Sequence, residues 1–175
     1  MPTTLACEAM TDAAWRTAGV YPIPGDWPAI SLRQPVELTV ELPERGLRLI
    51  FQREGDEPAW FFPTLNALAK VLALPSNWDS YGGRSTDLRA FSGALHTLDR
   101  VMGKDTTVPT VVPTAEGGIQ LEWHARGIDL EIEIPPTGPP YVYCQNRQNN
   151  TEWEGGLSTN LEQLRGVVSG LSLHR

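Results

Sequence analysis

Carboxylate and imidazole side chains alternate with apolar residues along two neighbouring segments, 119–124 and 128–134. This alternation is typical of half-buried strands, because successive side chains of a strand point to opposite faces of the sheet. If the two strands pair, their polar positions form one face, which could accept charge-assisted hydrogen bonds from a basic partner or hold a divalent cation. The residues concerned are Gln120, Glu122, His124, Asp129, Glu131 and Glu133.

A two-residue loop, Arg126-Gly127, is predicted to join these strands, since glycine readily adopts the positive φ that such loops need. A shift of one residue would move half of the apolar side chains to the polar face, so the register that this loop sets is favoured. It pairs Ala125 with Ile128, Trp123 with Leu130, Leu121 with Ile132 and Ile119 with Ile134. It also opposes His124 to Asp129 and Glu122 to Glu131, and the opposed glutamates cost a few tenths to about 1 kcal/mol.

The neighbouring segments predict two more strands of the same meander. A turn at Glu116-Gly117 precedes the first of the paired strands, and it would place Val112 of a strand at 108–112 opposite Leu121, and Thr110 opposite Trp123. Two prolines in that region predict a sheet edge, because proline cannot donate to a ladder. Residues 141–145 predict a fourth strand whose facing stays open, and residues 145–153 read as a polar hairpin tip.

The remaining patterns predict an α+β fold, an antiparallel β-meander with an N-terminal hairpin, packed against two central helices and one C-terminal helix. The hairpin joins 36–42 to 47–52. Helices are predicted at 64–74 with Thr64 as N-cap, at 87–102, and from 158 onward with Thr159 and Glu162 as a capping box. Residues 1–34 read as a partly irregular arm containing one short helix, and residues 35–175 as a single α+β domain.

Composition restricts the classes of partner. The 175 residues carry a formal charge of -7, which argues against direct contact with nucleic acid or an anionic membrane. Only Cys7 and Cys144 are present, so no disulfide framework is expected, and Cys144 reads as a core residue. The absence of a leader pattern or a long apolar run predicts a cytoplasmic protein, and the sequence leaves a homo-oligomer open.

The connector at residues 77–83 concentrates two aromatic residues, a carboxylate and two glycines. One interpretation is a structural plug, in which Trp78 is buried while Asn77 and Asp79 bind turn amides. The other is a recognition loop that exposes Asp79 and Tyr81.

Three stretches together resemble a group of small bacterial proteins that has no assigned function. They are Asn77-Trp78-Asp79-Ser80-Tyr81-Gly82-Gly83, then Glu116-Gly117-Gly118-Ile119-Gln120-Leu121-Glu122-Trp123, and Leu130-Glu131-Ile132-Glu133-Ile134. The resemblance covers residues 64–134 and implies the same arrangement of two helices and a meander, a bacterial origin, and no catalytic residues. An association with mobile elements or toxin-antitoxin loci is a hypothesis that accompanies it.

The leading functional hypothesis is a non-enzymatic binding protein that contacts a basic protein through the acidic face. The predicted binding residues are Glu122, Glu131, Glu133, His124, Asp129, Asp79 and Tyr81. A neutralising role, as in an antitoxin or immunity factor, suits this chemistry. No catalytic residue, metal ligand or cofactor is assigned, since no triad, phosphate loop or dinucleotide motif occurs. Two alternatives remain: a metal-dependent or carboxylate-based enzyme at the same face, and a structural subunit of a larger assembly.

Overall fold

A computed structural model of the protein describes residues 36–53 and 58–172. The chain divides into two compact units, Met1–Asp56 and Glu57–Arg175. In the first unit, β1 (Val36–Leu42) and β2 (Leu47–Arg53) form the predicted antiparallel hairpin. The predicted arm at 1–34 lies outside the described residues, so its structure stays a prediction.

The described residues of the second unit, 58–172, form a five-stranded antiparallel sheet and three helices, which confirms the predicted α+β class. The strands lie in chain order across the sheet, as a meander requires. The elements are α1 (Phe61–Leu72), α2 (Leu88–Val101), β3 (Thr110–Pro113), β4 (Ile119–Ala125), β5 (Ile128–Ile134), β6 (Tyr141–Asn146), β7 (Thr151–Gly156) and α3 (Leu157–Gly170).

The pairing of β4 with β5 confirms the predicted register at every position. Arg126 and Gly127 have φ values of 53° and 72°, so both central residues of the loop adopt the positive φ of a type I′ turn. The apolar face of the sheet is buried. Among the described elements, α1 lies next to β3, α2 next to β4 and β5, and α3 next to β6 and β7. The buried residues of this face are Ile119, Leu121, Trp123, Leu130, Ile132, Ile134, Val142 and Cys144.

The predicted register of β3 is wrong by one residue. Val111 lies opposite Leu121 and Val112 opposite Gln120, because the turn spans five residues, 114–118, and is not a two-residue loop at Glu116-Gly117. Thr114 closes this turn: its hydroxyl accepts a hydrogen bond from the Gly118 amide (2.9 Å), and its amide donates to the Gly118 carbonyl (3.1 Å). The predicted position of β3 at the sheet edge is confirmed.

The structure settles the facing of β6 and adds a strand after it. Val142 and Cys144 are buried, so Tyr141 and Tyr143 point to the opposite face. Residues 151–156 form the edge strand β7, although the sequence predicts a polar hairpin tip for residues 145–153. Its glutamates and glycines have low strand propensity, and pairing with β6 overrides that preference.

Two helix starts differ from prediction. Helix α1 begins at Phe61, three residues before the predicted start, because Pro63 occupies the first turn, where it loses no helical hydrogen bond. Thr64 is therefore buried inside the helix and is not a cap. Helix α3 begins at Leu157, after Gly156 as N-cap, so the predicted capping box is not formed. Asp87 does cap α2, since its carboxylate accepts a hydrogen bond from the Arg89 amide.

Within the described residues, none of the helices combines the length and the apolar character needed to cross a lipid bilayer.

Candidate functional site

The side of the five-stranded sheet away from the helices, which we call the outer face, carries the predicted acidic residues. Alternation along β4 and β5 places them there, and the strand register aligns them in rows with residues of β6 and β7. The outer face includes Gln120, Glu122, His124, Asp129, Glu131, Glu133, Tyr141, Tyr143, Gln145, Glu152 and Glu154, with Thr110 and Val112 of β3 beside them.

His124 links two carboxylates of the outer face. Its Nδ1 lies 2.9 Å from Asp129 Oδ1 and its Nε2 lies 3.3 Å from Glu122 Oε2. The other oxygen of Asp129 forms an ion pair with Arg147, at 2.6 Å from the guanidinium Nε. Because both ring nitrogens face carboxylate oxygens, the protonated imidazole, which donates from both nitrogens, fits this environment best.

The hydrogen bonds to Asp129 and then to Glu122 raise the pKa of His124 above its usual value. The same contact with His124, and the charge of Arg147, lower the pKa of Asp129. His124 therefore offsets part of the repulsion among the carboxylates as long as it stays protonated.

This arrangement predicts a pH dependence of stability. Because the pKa of His124 is raised in the folded state, its contribution is fully present below the unfolded value, about 6.5, and is lost as pH rises through the raised pKa. We expect the free energy of unfolding to fall over that interval, and the fall to be smaller in His124→Gln. Urea unfolding between pH 6 and 9 measures it, with His96→Gln as a control. The fall in this control should be at least as large as in wild type, because the pKa of His96 is lowered in the folded state and its contribution therefore has the opposite sign. An equal fall in His124→Gln and wild type would contradict the assignment.

The middle row of the outer face places two glutamates directly opposite each other, as predicted. Glu122 opposes Glu131, and Glu131 opposes Tyr143 on the next strand. Gln120 Nε2 donates a hydrogen bond to Glu131 Oε2 at 2.8 Å, which partly compensates that carboxylate. Desolvation, followed by the nearby charge of Glu152, raises the pKa of Tyr143, so its hydroxyl stays neutral.

The structure also tests whether these side chains could bind a metal ion. No group of three His, Cys, Asp or Glu side chains in the described parts of the chain is arranged to hold one. His124 directs both nitrogens at carboxylates, which leaves neither free as a ligand without a change of partners.

Residues 77–83 form a tightly hydrogen-bonded loop at another place in the unit. Asp79 Oδ1 accepts the amides of Tyr81 (2.8 Å) and Gly83 (2.9 Å), and these bonds lower the pKa of Asp79. Asn77 Oδ1 accepts the amide of Gly82 at 2.8 Å. The loop thus has the amide bonds of the plug interpretation, but Trp78 is only partly buried.

Tyr81 stands at the tip of this loop and is 94% exposed. The chain that follows binds the turn between β3 and β4, since the Arg84 amide donates to the Ala115 carbonyl and the Asp87 amide to the Gly117 carbonyl. His124 and Asp129 flank the loop between β4 and β5, at the other end of β4. The structure therefore groups five of the seven predicted binding residues on the outer face and holds Asp79 and Tyr81 apart from the His124 cluster.

Sequence reasoning missed several residues of the outer face. The sequence leaves the facing of β6 open, so it does not assign Tyr141 and Tyr143 to a face. Glu152 and Glu154 lie on β7, which the sequence does not predict. The sequence indication for β7 is the alternation of polar residues around Trp153. This indication is weak, because Trp153 is the one large apolar residue of the strand. Arg147 lies in the turn before β7, where its pairing with Asp129 depends on strand order alone.

The fold and this surface define a two-layer α+β unit in which helices cover one face of an antiparallel meander and carboxylates occupy the other. A comparison with protein-family models found no match to the chain. Comparisons with curated proteins and with solved structures found no match either.

Proposed function

We propose that the protein is a non-enzymatic binding protein that engages a basic protein partner through the outer face. One observation carries the proposal: Glu122, Asp129, Glu131, Glu133, Glu152 and Glu154 share the sheet face opposite the buried apolar face. Among the residues that the structure describes, Arg147 and His124 are the cations paired with this cluster, so described carboxylates outnumber described positive groups there.

The rows of the outer face suit arginine or lysine side chains. Strands are spaced about 4.8 Å apart, so Glu122 and Glu131 present carboxylates close enough for one guanidinium to bridge them. Tyr141, which is 42% exposed, adds an aromatic surface beside Glu133. Interfaces are enriched in tyrosine and arginine, because both combine a broad contact area with polar groups.

The net charge of -7 adds a long-range electrostatic attraction toward a basic partner. An acidic protein attracts a basic partner before contact, and this raises the association rate at low ionic strength. Within this class, the chemistry suits a protein that neutralises a basic toxin, such as an antitoxin or an immunity factor in the bacterial cytoplasm.

Replacing Glu122, Glu131 and Glu133 together by glutamine tests the proposal. Glutamine preserves side-chain shape while removing three negative charges, so we expect the variant to lose the basic proteins that wild type captures from the native host. Capture at low salt followed by mass spectrometry measures the loss. Binding of the identified partner to purified wild type should weaken at least tenfold in the variant, and raising the salt concentration should weaken wild type in the same way.

A matched control carries the same charge change elsewhere. Glu116, Glu162 and Asp105 are exposed and lie outside the outer face, so Glu116→Gln, Glu162→Gln and Asp105→Asn together should leave capture intact. If both triple variants captured the same proteins as wild type, or lost them equally, the outer face would not be the binding surface.

A further inference from the structure

A second surface, separate from the outer face, has the opposite charge. A groove with a volume of about 560 Å³ runs between helix α2 and the connection from β5 to β6, residues 135–140. Arg89, His96 and Arg100 of α2 line one side, and the first residues of α3 lie at its border.

The three basic side chains form one stripe along α2. They are seven and four residues apart, and at 100° per residue this spacing keeps them within about 20° of a common line along the helix. The stripe is about 16 Å long at a rise of 1.5 Å per residue. In the described chain, no carboxylate forms an ion pair with Arg89, His96 or Arg100.

Charge in the groove comes mainly from the two arginines. Partial burial, and then the neighbouring Arg100, lower the pKa of His96, while Asp99 opposes this shift. His96 is consequently neutral at pH 7 and can donate or accept one hydrogen bond between the two guanidinium groups.

The opposite wall has a different character. Four of the six residues at 135–140 are prolines, which have no backbone amide to donate, so the polar groups of this backbone are mainly carbonyl oxygens beside rigid apolar rings. The Pro140 carbonyl already accepts the Leu157 amide at 2.9 Å, so the carbonyls of the preceding residues are the ones open to a ligand. A ligand that fits both walls carries anionic groups for α2 and N–H donors for the carbonyls. An extended acidic peptide has both, and about five residues span the stripe at 3.3 Å per residue.

We propose that this groove binds an extended acidic peptide segment, with carboxylates on Arg89 and Arg100 and the peptide backbone along residues 135–140. A nucleic acid strand fits less well, because its sugar-phosphate backbone has no N–H donor for the carbonyl oxygens of residues 135–140. The groove is independent of the outer face, since the two surfaces share no residue and attract ligands of opposite charge.

Fluorescence anisotropy with a labelled pentaglutamate peptide tests this proposal. We expect binding to wild type that weakens as salt is added, and affinity at least tenfold lower for the double variant Arg89→Gln and Arg100→Gln. A control double variant, Arg84→Gln and Lys104→Gln, removes two exposed positive charges outside the groove and should bind as wild type does. Thermal unfolding establishes whether each variant is folded. Arg84, Arg89 and Lys104 are exposed and Arg100 is half-buried, so both variants are expected to fold.

Three outcomes would overturn the proposal. Wild type could fail to bind the peptide, or both double variants could lose affinity equally, which would make the effect one of net charge. A labelled five-nucleotide single-stranded DNA could bind more tightly than the peptide and depend on the same arginines, which would assign the groove to nucleic acid.

Discussion

Replacing Trp123 by alanine is expected to destabilise the second unit by about 3–5 kcal/mol. Trp123 is 2% exposed and lies opposite Leu130 on the buried face of the sheet. Its indole Nε1 also donates a hydrogen bond to the Thr107 carbonyl at 2.8 Å. The substitution therefore leaves a large cavity and removes the donor from a partly buried carbonyl, and both effects lower the free energy of unfolding.

Urea unfolding measures this effect, with Tyr81→Ala as the control. Tyr81 is 94% exposed, so its truncation should change stability by no more than about 0.5 kcal/mol. A loss below about 1 kcal/mol in Trp123→Ala would mean that Trp123 is not in the core, and the assignment of the two sheet faces would then be wrong.

Replacing Gly117 by alanine is expected to destabilise the unit by about 2–4 kcal/mol. Gly117 has φ of +87°, a conformation that side chains other than hydrogen disfavour, and a Cβ built there would lie 2.9 Å from the Ser85 carbonyl oxygen. Its own carbonyl accepts the Asp87 amide at 2.9 Å. The substitution thus forces apart the turn between β3 and β4 and the segment that leads into α2.

The control is Gly166→Ala in α3. Gly166 is exposed, and a Cβ there would have no heavy atom within 4 Å, so alanine should stabilise the helix by about 0.5–1 kcal/mol. Thermal unfolding should therefore show opposite shifts for the two glycine variants. A shift of the same sign and size in both would contradict the close approach of Ser85 to Gly117.

The central hairpin could be predicted from the sequence because two independent signals agreed. The apolar alternation of β4 and β5 and the parity of the Arg126-Gly127 loop both required the same register, and burial of one face leaves no competitive alternative. This register in turn fixed the pairs Glu122 with Glu131 and His124 with Asp129. These pairs form the part of the candidate site that the sequence determined.

The other differences between the predicted and the observed fold have local causes that cannot be read from the pattern of apolar residues. The register of β3 depends on the Thr114 hydroxyl, which closes a five-residue turn that a Glu-Gly signal does not indicate. The strand β7 has one apolar residue and two glycines, so its existence depends on pairing with β6. Arg147, Glu152 and Glu154 joined the outer face only through that pairing.

The opposed glutamates allow the most direct test of the proposal that the outer face binds a basic partner. If the outer face keeps Glu122 and Glu131 together for a partner, removing one charge should stabilise the protein without it. We predict that Glu131→Gln raises the free energy of unfolding by a few tenths to about 1 kcal/mol in low salt, that the gain shrinks at 1 M salt, and that Glu116→Gln shows no such gain. Urea unfolding at pH 8 makes this measurement, and an unchanged or lower stability of Glu131→Gln in low salt would contradict the account.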